Sequence, residues 1–83
     1  MTLRYFAWIR ERTGIPEERV QLPENVGDVE GLIGWLRTRG PEFDHAFETD
    51  SLVRVAIDQV HSNRDAPLSG AREVAFFPPM TGG

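Results

Sequence analysis

Between Asp28 and Gly40 the chain carries its clearest helical pattern, and whatever surrounds that segment must fold against it. Val29, Leu32, Ile33 and Leu36 recur at the i, i+3, i+4, i+7 spacing that lines up apolar side chains on one helix face. Asp28 is a favourable N-cap, and Gly40-Pro41 predicts the stop. Gly31 and Gly34 each cost about 1 kcal/mol relative to alanine inside a helix, so packing has to hold it. Their missing side chains predict a close approach to a sheet.

The flanks supply that sheet. Leu3 to Ile9 reads as a first strand. Its alternation breaks at Tyr5-Phe6-Ala7-Trp8, which a strand covered on both faces would tolerate. Arg10 to Gly14 reads as a helical turn closed by glycine. Arg19 to Leu22 alternates as a second strand between Pro16 and Pro23. Pro41 to Phe47 is a short second helix. Leu52 to Ile57 is a strand with Val53, Val55 and Ile57 on one face. A tight turn at Asp58-Gln59 leads into a short strand at Val60-His61, and a loop runs through Pro67 to Gly70. Glu73 to Phe77 forms the last strand, which Pro78 stops because proline removes a ladder donor. Phe76 and Phe77 then point to opposite faces, one into the core and one toward a partner. Strands, then one main helix, then more strands predicts an α+β fold: a β-grasp, ubiquitin-like mixed sheet with the helix across one face. Residues 1–77 form the domain and 78–83 an extended tail.

Composition narrows the chemistry. With no cysteine there is no disulfide, thiolate metal site or thiol nucleophile. All nine basic residues are arginine, so Schiff-base chemistry on lysine is excluded. A net charge of −4 lacks the basic footprint of a nucleic-acid binder. No apolar run approaches the roughly 20 residues that span a bilayer, and Met1 to Tyr5 lacks a signal-peptide pattern; a cytoplasmic location away from membranes is expected. His45 and His61 have no metal-ligand spacing, so neither a metal nor a bound cofactor is expected. Asp44, Glu48 and Asp50 read as a solvated acidic face, and Trp8, Trp35, Phe43 and Phe47 as core aromatics.

The end of the chain holds the candidate chemistry. Pro78 and Pro79 stiffen the exit from the last strand. Gly82 and Gly83 carry no Cβ and can enter a narrow channel. Activation of the Gly83 carboxylate as an acyl-adenylate would make its carbon attackable, and a sulfur donor would convert it to a thiocarboxylate. Sulfur held this way needs no cysteine.

Glu73 to Gly83 resembles the ending of the MoaD family, the small sulfur-carrier subunits of molybdopterin synthase. The resemblance extends to Phe6-Ala7 with Arg10-Glu11, Val29-Glu30 with Leu32, and Pro67-Leu68. It implies that a ubiquitin-activating-type adenylating enzyme spends ATP on Gly83 and that a sulfur donor loads it. The tail would then enter the large synthase subunit, in a heterotetramer, and give sulfur to cyclic pyranopterin phosphate. It further implies partner contacts at Phe6, His61 and Phe77 and along Pro78, Pro79, Met80 and Thr81, with Gly82 giving access. Arg72 stands where the family has an acidic turn, and His61 where it has an apolar residue. The same tail chemistry would serve a carrier for thiamine biosynthesis or tRNA thiolation. From the residues alone, a ubiquitin-like binding module with an inert terminus stays open.

Overall fold

Leu3 and Tyr5 alternate with Thr2 and Arg4, and this period of two makes the first strand, β1 (Thr2–Tyr5), whose odd positions are fully buried. The computed structural model describes residues 1–79. After β1 come helix α1 (Ala7–Thr13), strand β2 (Glu17–Arg19), helix α2 (Val29–Arg37) and helix α3 (Pro41–Ala46). A 3-10 turn at Asp50–Leu52 precedes β3 (Arg54–Ile57), β4 (Val60–Ser62) and β5 (Glu73–Phe77). The five strands are ordered β2-β1-β5-β3-β4; β1 and β5 run parallel and the other neighbours antiparallel. This is the mixed sheet of a β-grasp fold.

Helix α2 forms as its periodicity dictates. The Asp28 carboxylate accepts from the Gly31 N–H at 2.7 Å, and Val29, Leu32, Ile33 and Leu36 are all buried. They meet Leu3, Tyr5, Val53, Val55, Val74 and Phe76 from the sheet's inner face in one core. Phe76 stacks on Tyr5 at 5.8 Å and meets Phe47 edge-on at 5.1 Å. Burying a side chain of this size contributes about 1.5–3 kcal/mol. Trp8 and Trp35 are only partly buried against this core, whereas Phe43 and Phe47 lie inside it.

Three expectations need correction. The first strand ends at Tyr5, not Ile9: Ala7 adopts a left-handed backbone (φ 53°) and turns the chain into α1, which buries Ile9 and Thr13 one helical turn apart. Gly14, also left-handed (φ 84°), closes that helix. The second strand covers Glu17–Arg19 rather than Arg19 to Leu22, because Tyr5 N–H donates to the Pro16 carbonyl and pulls the pairing toward the proline. The α2 glycines do not serve sheet contact. A Cβ at Gly34 would meet nothing within 4 Å, and one at Gly31 would crowd the capping Asp28 Oδ1 at 3.1 Å.

Candidate functional site: an apolar depression at the tail exit

The outer face of the sheet follows from register. Val53 and Val55 point inward, so Arg54 and Ala56 point out; Val74 and Phe76 point inward, so Glu73, Ala75 and Phe77 point out. Pairing places Arg54 opposite Phe77, Ala56 opposite Ala75 and opposite His61, and Arg4 opposite Ala75. Ala75 thus makes a low centre between taller neighbours. The result is a depression of about 610 Å³ lined by Arg4, Phe6, Gln59, Glu73, Ala75, Phe77, Pro78 and Pro79. The described part of the tail leaves from its wall.

Each wall has a local cause. Phe6 follows buried Tyr5 and therefore emerges outward; it is 38% exposed, and the Ala7 turn holds it there. Its N–H donates to the Phe76 carbonyl at 3.1 Å, tying it to β5. The Arg4 guanidinium lies 5.2 Å from the centre of the Phe6 ring and 3.9 Å from Glu73. His61 meets Phe77 edge-on at 5.3 Å, which makes it a flank of the aromatic wall. At the β3–β4 turn both Asp58 (φ 48°) and Gln59 (φ 70°) are left-handed, the backbone of a two-residue hairpin. The Asp58 carboxylate accepts from the N–H groups of Arg72 and Glu73 at 3.0 and 2.9 Å and pins this turn to the start of β5. Arg72 thus contributes backbone to the turn.

The structure therefore brings Phe6, His61, Phe77, Pro78 and Pro79 to one place. Met80, Thr81, Gly82 and Gly83 lie outside the described residues. Ala75, Arg4 and Gln59 also belong to the depression; their only signals in the sequence are the alternation of the strands and the Asp58-Gln59 turn.

The profile of the ThiS family matches residues 3–83, through both terminal glycines. The chain belongs to the ThiS family. A relative from Haemophilus influenzae, the molybdopterin synthase sulfur carrier subunit, is 31% identical over all of this chain and 99% of its own length. The protein of the same name from Escherichia coli K12 is 33% identical over 95% of this chain and 94% of its own. Among solved structures, a Pyrococcus furiosus protein assigned as molybdopterin converting factor subunit 1 superposes with a TM-score of 0.74 at 27% identity, covering 95% of each chain. SAMP1 from Haloferax volcanii superposes equally well at 22% identity, over 100% of this chain and 98% of its own, and speaks to the fold alone.

The Tyr5–Glu18–Arg39 cluster of this ThiS-family chain is structural. Tyr5 Oη donates to Glu18 at 2.7 Å, and Arg39 grips the same carboxylate with two bonds of 2.7 and 2.9 Å. Burial pushes the Glu18 carboxyl up, but hydrogen bonds from Arg39 and Tyr5 outweigh it and hold the group below its ordinary value. Burial, reinforced by the Glu18 carboxylate, pushes the Tyr5 hydroxyl up. This cluster ties β1 and β2 to the α2–α3 connection, on the face opposite the depression. A second concavity of about 650 Å³, near Glu30, Asp50 and Arg64, is polar. Arg64 fills its side by donating to the Asp50 carboxylate and to the Asp50 and Val53 carbonyls, so Arg64 and Asp50 already partner one another, and Arg54 borders the same concavity. His45 of α3 lies 3.0 Å from Glu48, just past the end of that helix and away from His61 on the outer sheet face. Among the described residues no group of three or more His, Asp or Glu could hold a metal, and no helix is long and apolar enough to cross a membrane.

Proposed function

We propose that this chain is the sulfur carrier of a molybdopterin synthase, with Gly83 as its terminal, sulfur-bearing residue. The observation that carries the reading is the juxtaposition at the end of β5. The strand delivers a proline-stiffened tail ending in Gly82-Gly83 from the wall of an exposed apolar depression. Exposed apolar patches mark interaction sites. A patch at the root of a reactive tail docks the body while the tail reaches a partner's active site. Near full-length similarity to two molybdopterin synthase sulfur carrier subunits supports this choice over other carriers.

In this reading an adenylating enzyme uses ATP to form an acyl-adenylate on the Gly83 carboxylate, releasing pyrophosphate. A sulfur donor displaces AMP and leaves a thiocarboxylate. The tail then enters the large synthase subunit, in a heterotetramer, and delivers its sulfur to cyclic pyranopterin phosphate. The chain binds no cofactor or metal of its own and works in the cytoplasm as a sulfur-donating subunit of a transferase. Phe6, Phe77 and His61 dock the body, Pro78, Pro79, Met80 and Thr81 line the path, and Gly82 lets the terminus pass. The test is reconstitution. Chain loaded with sulfur and mixed with the large subunit should convert cyclic pyranopterin phosphate to molybdopterin. Loaded chain that binds the large subunit yet yields no product would redirect the reading to thiamine or tRNA thiolation.

A further inference from the structure

Arg54 borders the polar concavity and adjoins the depression through its pairing with Phe77. It projects from β3 on the outer face, directly opposite Phe77 across the strand pair. Its guanidinium donates to the Ser51 carbonyl at 2.8 Å and makes no ion pair among the described residues. Asp50, which borders the same polar concavity, is already paired with Arg64. Arg4, on the other side of β5, differs: it lies against the Phe6 ring and beside Glu73. The outer face as a whole presents Arg4, Arg19 and Arg54 against Glu17 and Glu73, a positive balance in a chain whose net charge is −4.

A partner that covers Phe6 and Phe77 strips water from Arg54 as well. Desolvating a guanidinium without a counter-charge is costly, whereas a carboxylate facing it offsets that cost and fixes the register. The planar fork suits a two-point grip on a carboxylate. The acidic remainder of the chain repels an acidic partner surface, so attraction confined to the outer face also orients the encounter. We propose that Arg54 reads the partner: it pairs with an aspartate or glutamate side chain lying beside the partner's apolar docking cluster. This rests on the reading that the depression docks the large synthase subunit.

The experiment titrates the purified large subunit with the full chain at low and at physiological ionic strength, where the screening length falls to about 8 Å. Arg54→Ala should weaken binding about five- to tenfold at low salt, and Arg54→Glu more. Arg54→Lys should keep most of the affinity. Arg37→Ala makes the same change in net charge on α2, away from the outer face, and should leave binding within about twofold. The salt dependence should flatten in Arg54→Ala, and all variants should melt like the unmodified chain. Binding by Arg54→Glu equal to that of the unmodified chain overturns this inference alone. So does loss in Arg54→Ala with an unchanged salt dependence. Failure of the unmodified chain to bind at either salt overturns both this inference and the synthase reading.

Discussion

Phe76 and Phe77 are adjacent in sequence and should fail in opposite ways. Phe76 is fully buried, stacked on Tyr5 and edge-on to Phe47. Truncating a buried phenylalanine costs about 3–5 kcal/mol. An 83-residue domain has a total stability of roughly 4–12 kcal/mol. Each kcal/mol lowers the melting temperature of a domain this size by about 4–8 °C, so Phe76→Ala should lose at least roughly 12 °C. Phe77 is half-buried on the outer face, with the His61 ring against it. Phe77→Ala leaves no cavity and should cost less than about 1 kcal/mol of stability. As a central aromatic of the proposed docking surface it should instead cost more than about 1 kcal/mol of binding, at least fivefold in affinity. Urea denaturation gives the first quantity and titration with the large subunit the second. A Phe77→Ala chain that unfolds as readily as Phe76→Ala would refute the facing. One that folds normally and binds undiminished would refute the docking surface.

Three further outcomes follow from local geometry. Folding lowers the pKa of Glu18, so its contribution is fully present above the ordinary value of 4.5 and is lost as the pH falls through the folded value. Glu18→Gln should therefore cost about 1.5–3 kcal/mol at neutral pH and show a shallower loss of stability in acid, read from melts across pH. Asp28→Ala removes the α2 cap and should cost about 0.5–2 kcal/mol by denaturant midpoint. Ala7→Gly relieves the left-handed backbone after Phe6, worth about 1–2 kcal/mol, and should leave the melting temperature unchanged or higher despite the added freedom of the unfolded chain.

Much of the fold is legible in the sequence because its signals are local. The α2 stripe, the Asp28 cap, the Asp58-Gln59 turn and the proline stop after Phe77 each lie within a few residues. The rest is set by backbone geometry and distant contacts that leave no local pattern. Tyr5-Phe6-Ala7-Trp8 reads as a two-sided strand, yet the crowding of aromatics marks a switch from period two to a helix, made possible by the left-handed Ala7. The Tyr5–Glu18–Arg39 cluster joins residues 13 and 21 positions apart and has no linear pattern. At the site, the aromatic and proline walls are conspicuous in the sequence, but the floor is not. Ala75 becomes a floor only once β1 and β5 are paired in register, and Arg54 becomes a neighbour of Phe77 only through the pairing of β3 with β5.

The most direct test of the carrier function is the intact mass of the chain after incubation with ATP, its adenylating enzyme and a sulfur source. One oxygen should be exchanged for one sulfur, and fragmentation should place the exchange on Gly83. A chain lacking Gly83 still ends in a glycine carboxylate, but its reach is shorter by about 3.3–3.6 Å. Misplacement of 1 Å can already cost about a hundredfold in a reacting geometry. That chain should melt normally and support no molybdopterin formation. Sulfur found elsewhere in the chain, or molybdopterin formed at the normal rate without Gly83, would contradict the carrier function and leave a ubiquitin-like binding module in its place.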